Sequence, residues 1–128
     1  MALLLDTHTF IWWATSDARL SRNAREAIAE RDADVFLSVV TPWEMTIKSA
    51  LGRLDLKESP RGLVYAQIGR HGFQPLDVSL EHVLGVADLP HHHADPFDRL
   101  LIAQARSESL TLVSGDGVFP RYELPVLW

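Results

Sequence analysis

The sequence predicts an α/β fold built on a parallel sheet, and three observations predict it. Short apolar or β-branched runs alternate with longer amphipathic stretches, which implies right-handed βαβ crossovers. The opening run, Ala2 to Leu5, is apolar without alternation, as a strand covered on both faces requires. Helix-start chemistry recurs: Thr41-Pro42-Trp43-Glu44 and Asp95-Pro96-Phe97-Asp98 each set a capping residue, a proline, an aromatic and an acid before an amphipathic run.

After the first strand, Thr7 to Ala14 reads as a helix carrying Phe10, Ile11, Trp12 and Trp13. Ser21 caps a second helix to about Arg31, with Ala24 and Ile28 turned inward. Val35 to Val40 is the next strand. The helix opened by Thr41-Pro42 closes near Gly52, which suits the left-handed position past a helix end. Pro60 starts a helix to about His71, followed by a strand at Phe73 to Pro75 and a helix from Ser79 to Ala87. Asp95 to Glu108 is a helix carrying Leu101, Ile102 and Ala105. Thr111 to Ser114 is a strand cut by Gly115-Asp116-Gly117, and Pro125 to Trp128 an edge strand.

The 128 residues predict one domain, 1–128. No apolar stretch reaches the roughly 20 residues of a membrane span, and the start lacks the basic flank of a signal peptide. With no Cys there is no disulfide, thiol nucleophile or cysteine-held zinc, and a cytoplasmic setting is expected. A net charge of −5 argues against gripping nucleic acid by bulk positive field, though ten of the twelve basic residues are Arg, the side chain better shaped for phosphate. Arg19, Arg22 and Arg25 cluster, and read as a solvated helix surface.

Asp6 and Asp116 follow apolar runs, while Glu44 and Asp98 stand in first helical turns. Each has a structural explanation. Glu44 completes a capping box with Thr41, Asp98 one with Asp95, Asp95 is an N-cap, and Asp116 holds a turn. Asp6 is harder to explain, because a lone carboxylate after a buried strand is desolvated. Together the four share strand ends and helix starts, which in an open parallel sheet lie along one edge. Two carboxylates about 4 Å apart repel by roughly 4 kcal/mol at an effective dielectric of 20. Lys48 offsets part of this; a hard cation, Mg2+ or Mn2+, offsets the rest. The run His91-His92-His93 lacks the spacing of a zinc site, even with His71 and His82 as partners, and reads as a polar loop. Trp12, Trp13, Trp43 and Trp128 read as core before they read as base-stacking platforms.

These residues resemble the PIN-domain family, and within it the VapC-type toxins of toxin–antitoxin pairs. The likeness rests on Leu3-Leu4-Leu5-Asp6-Thr7-His8, on Ser38 with Thr41 to Lys48, on Gly52-Arg53-Leu54, on Asp95 to Ala105, and on Leu112-Val113-Ser114-Gly115-Asp116. It implies a three-layer α/β/α sandwich around a short, mostly parallel sheet. It also implies Mg2+- or Mn2+-dependent hydrolysis of RNA, a homodimer, and a cognate antitoxin. By motif, Asp6, Glu44, Asp98 and Asp116 are the catalytic and metal-holding acids. Gly115 stands where the family often has another small residue. Asp95 contributes through water or capping, and Thr7, Ser38 and Ser114 orient waters or phosphate oxygens. No protein nucleophile is needed.

Three other readings stay open at this level. A phosphatase with an aspartyl nucleophile would need a second Asp where His8 stands. A non-catalytic metal-binding or regulatory α/β module would keep the acids without hydrolysis. A DNA-directed nuclease would use the same site.

Overall fold

The computed structural model describes residues 1–128. Strands β1 (Ala2–Leu5), β2 (Asp34–Ser38), β3 (Gln74–Leu76), β4 (Thr111–Val113) and β5 (Val126–Leu127) form one sheet in the order β3-β2-β1-β4-β5. Every neighbouring pair is parallel, with Leu4 opposite Phe36 on one side and Leu112 on the other.

Strand geometry turns successive side chains to opposite faces, so the run Leu3-Leu4-Leu5 feeds two cores. Leu3 and Leu5 pack with α1 (Thr7–Ala14), α2 (Arg22–Ala29) and α4 (Pro60–His71) through Phe10, Ala24, Ile28 and Leu63. Leu4 packs on the other face with α6 (Pro96–Ser107) and with Phe119 and Tyr122 of a 3₁₀ turn. Helix α3 (Val40–Ala50) contributes Met45 to the first core and Val40 to the second. Helix α5 (Leu80–Gly85) packs on α6. The three leucines are fully buried, and each contributes about 1.5–3 kcal/mol by transfer from water. The result is an α/β/α sandwich, with no helix long and apolar enough to cross a membrane.

Several elements depart from the sequence reading. Strand β2 ends at Ser38, and the helix expected to open at Thr41-Pro42 begins at Val40. Thr41 is therefore not an N-cap, and Glu44 completes no capping box. Instead the Val40 N–H donates to the Ser38 hydroxyl at 3.1 Å. Pro42 is tolerated because its missing N–H falls among the first four amides, which have no helical partner. Strand β3 lies one residue later than expected. The helix after Ser79 ends at Gly85 and tightens into a 3₁₀ turn, Val86–Asp88. The helix starts capped by Ser21 and Asp95 and the one opening at Pro60 are as expected, and Gly52 is left-handed past the end of α3 at φ 71°.

The chain leaves β1 toward β2 and β3, then crosses back to place β4 and β5 on the other side. That reversal opens a crevice beyond the carboxyl ends of β1 and β4, the place where open parallel sheets receive ligands.

Candidate active site

A cleft of about 650 Å³ occupies this crevice. Five carboxylates line it, from Asp6, Glu44, Asp95, Asp98 and Asp116, against only Lys48 and Arg19 as fixed cations. All four acids singled out in the sequence therefore reach one cavity from four separate segments. They do not form the tight cluster expected: no three acidic or histidine side chains enclose a common point.

Asp6 caps α1, its Oδ1 accepting the Thr9 N–H at 2.8 Å, while Oδ2 accepts the Ser114 hydroxyl at 2.5 Å. Its own N–H donates to the Val113 carbonyl, continuing the β1–β4 ladder by one residue. Burial pushes the carboxyl above its ordinary value, against the hydrogen bonds from Ser114 and Thr9 that favour the charge. Ser114 acts on the site through Asp6.

Glu44 faces the cleft from the second turn of α3 and is nearly fully buried. The Thr7 hydroxyl donates to Oε1 at 2.6 Å, and Lys48, one turn on, donates to Oε2. Burial works against the Lys48 charge, but Glu44, with Asp95 and Asp98 beyond it, holds the ammonium above its ordinary value. Thr41 comes within 3.4 Å of Thr7. Ser38 does not line the cleft. Its hydroxyl donates to Gln104 Oε1 at 2.5 Å and so ties β2 to α6. Gln104, given no role of its own in the sequence reading, is fully buried and also donates to the Asp77 carbonyl at 3.3 Å.

Asp95 caps α6, its Oδ1 accepting the Asp98 N–H at 2.9 Å. Burial first, then the charges of Asp95 and Glu44, push the Asp98 carboxyl up to about 7, while His93 pulls the other way. The His93 Nε2 lies 3.1 Å from Asp98 Oδ2, and its Nδ1 lies 2.6 Å from the Tyr122 hydroxyl. One member of the histidine run thus belongs to the site. Its signal in the sequence was its position, two residues before the capping Asp95. Arg99 anchors the same region, donating to the Pro90 carbonyl at 2.8 Å and to the Tyr122 hydroxyl at 3.2 Å.

Asp116 is exposed at the rim. Its Oδ1 accepts the Val118 N–H at 3.0 Å, so it does hold a turn while facing the cleft. Of the tryptophans, Trp12 and Trp128 line the cavity, Trp13 donates to Gln67 at 2.9 Å, and Trp43 lies exposed against Phe97. Arg22 pairs with Glu26 on the surface as expected, whereas Arg19 stands over Trp12.

The donor set fits a hard divalent cation. The ligand atoms on offer are five carboxylates with the His8 imidazole beside them, no thiolate exists, and both His93 ring nitrogens are already engaged. Carboxylate-rich, loosely spaced donors suit an ion that keeps several of its own waters. Unneutralised, the same acids repel one another, as the raised Asp98 records.

Comparison with known proteins places this arrangement. Residues 3–124 match the family model described as PIN domain. No curated protein sequence matches with significance. Among solved structures, the chain is similar to VapBC2 from Rickettsia felis bound to a promoter DNA fragment, at 15% identity and a TM-score of 0.72, covering 99% of this chain and 98% of that one. It is similar to DNA-bound VapBC from Salmonella typhimurium at 17% identity and a TM-score of 0.71, covering 99% and 97%. FitAcB from Neisseria gonorrhoeae follows the same backbone at 19% identity and a TM-score of 0.66, covering 98% and 96%. At these identities the structural likeness establishes the fold, whereas the family match spans nearly the whole sequence. The chain belongs to the PIN domain family.

Proposed function

We propose that this protein is a Mg2+- or Mn2+-dependent endoribonuclease, the toxin of a type II toxin–antitoxin pair. One observation carries the reading: five carboxylates from four separate segments line a single cleft at the β1–β4 reversal, two of them with raised proton affinity. Such a surface repels a phosphodiester unless a cation intervenes.

Asp6 and Asp98 would hold the ion, with Glu44 and Asp116 completing the acidic wall and Asp95 acting through water. The bound ion supplies Lewis acidity, a water of lowered pKa and counter-charge for the phosphate. The protein's own contribution is positional. Ser114 and the α1 amide fix the Asp6 carboxylate, Thr7 and Lys48 fix that of Glu44, and His93 fixes that of Asp98. Lys48 is the cationic side chain set among the acids, available to a phosphate oxygen or a leaving group. Ser38 contributes by anchoring β2 to α6.

A cognate antitoxin and a homodimer belong to the same reading. The VapBC complexes from Rickettsia felis and Salmonella typhimurium, whose fold this chain shares, support the antitoxin. The acidic cleft favours a basic antitoxin side chain, most simply an Arg, as its plug.

The test is hydrolysis of single-stranded RNA by purified protein, with Mg2+ or Mn2+ and with EDTA. Cleavage dependent on the ion and lost in Asp6→Asn is expected. Metal-independent cleavage, or an Asp6→Asn variant of full activity, refutes the proposal; DNA cut in preference to RNA reassigns the substrate.

A further inference from the structure

Beside the acidic cleft lies a second cavity of about 630 Å³. His8, Trp12 and Arg19 line both, so the two form one continuous groove. Its charge changes along its length. The acidic cleft sets five carboxylates against two cations, whereas in the second cavity Arg19, Arg53 and Lys57 balance Asp17, Asp55 and Glu58.

The junction is built from flat groups. His8 and Trp12, one turn apart on α1, have ring centroids 5.7 Å apart, and Trp12 is 5.9 Å from Trp128. The Arg19 guanidinium carbon stands 5.1 Å from the Trp12 centroid. Asp17 grips that guanidinium by two oxygens, at 3.1 Å to Nε and 2.8 Å to Nη2, and also accepts the Arg19 N–H at 2.9 Å. The pairing locks the plane and takes up much of its charge. Yet the side chain remains 70% exposed. A guanidinium held by one edge, with an indole behind it and solvent in front, offers a plane more than a point charge.

We propose that Arg19, backed by Trp12 and set by Asp17, is a stacking platform for an unpaired base of single-stranded RNA next to the phosphate in the acidic cleft. The assignment rests on the nuclease reading for the identity of that phosphate. Bases of single strands stack on aromatic rings and Arg planes, and the groove leads directly from the acids to this plane. Arg53 and Lys57 then lie beyond it to meet the following phosphates.

The experiment measures binding of a fluorescein-labelled single-stranded oligoribonucleotide to the full chain with Mn2+ present, by stopped-flow anisotropy in the time before turnover. Arg19→Ala should weaken binding about tenfold, and Arg19→Lys, which keeps the charge but loses the plane, should fail to restore it. Asp17→Asn should fall between, because the plane is released but present. Binding by Arg19→Ala within twofold of the unsubstituted protein overturns the proposal, as does full rescue by Arg19→Lys or an equal defect toward double-stranded RNA. In steady-state cleavage, Arg19→Ala should raise KM by more than it lowers kcat. If the unsubstituted protein shows this binding pattern but never cleaves, the nuclease reading fails and the base platform stands. If it cleaves and Arg19→Ala leaves KM unchanged, the platform fails alone.

Discussion

His93 joins Asp98 to the buried Tyr122: Nε2 is 3.1 Å from the Asp98 carboxylate, and Nδ1 is 2.6 Å from the Tyr122 hydroxyl. That hydroxyl also accepts the His93 N–H and an Arg99 N–H, each at 3.2 Å. With two donors filling its lone pairs, it must give its own proton to Nδ1. The count selects the tautomer with hydrogen on Nε2, which then donates to Asp98. His93→Ala should therefore loosen the Asp98 carboxylate and weaken Mn2+ affinity by about tenfold, the usual scale for a lost partner of a ligand. Titration of free Mn2+ by electron paramagnetic resonance checks this, and unchanged affinity contradicts it. Tyr122→Phe strands two buried donors and should cost about 1–3 kcal/mol in denaturant unfolding.

The Asp98 carboxyl sits at about 7 instead of the ordinary 3.8. A carboxyl raised on folding makes the folded state the better proton binder, so its contribution to stability is complete below pH 3.8 and is lost as pH climbs through about 7. Ion-free protein should lose several degrees of Tm across that window, given roughly 4 °C per kcal/mol at this size. Mn2+ should restore them, and Asp98→Asn should flatten the profile. Thermal melts in EDTA and in Mn2+ make the comparison.

Asp6 is both a helix cap and a charged wall of the cleft, and one substitution separates the roles. Asn caps as well as Asp, so Asp6→Asn should keep Tm within a few degrees while reducing RNA hydrolysis at least about 100-fold. Asp6→Ala should in addition lose about 1 kcal/mol of stability. A loss of activity in Asp6→Asn explained by unfolding would appear directly in its circular dichroism.

Glu44 is nearly buried and its main counter-charge is Lys48. Lys48→Met should destabilise by about 1–3 kcal/mol, discounted for the partial exposure of Lys48. Glu44→Gln added to Lys48→Met should recover much of that loss, because the stranded charge is gone. A double-mutant cycle on urea unfolding measures the coupling.

Local sequence dictates the succession of strands and helices along the chain, because periodicity, prolines and capping residues act within a few residues of one another. Asp95 capping α6, Ser21 capping α2 and the doubly buried Leu3-Leu4-Leu5 were all legible there. So were the four acids that reach the cleft. The Thr41-Pro42 signal misled by two residues, since the helix opens at Val40, whose N–H meets the Ser38 hydroxyl, and that hydroxyl is itself held by Gln104 from α6. The strand order, with its reversal between β1 and β4, was decided by tertiary packing, and with it the distance at which the acids meet. His93 and Tyr122 are 29 residues apart, and Trp12 and Trp128 come from opposite ends of the chain. No local pattern encodes such meetings. They arise when two faces of one sheet bury their side chains at once, and the polar groups left at its edge must find partners among whatever the packing has brought there.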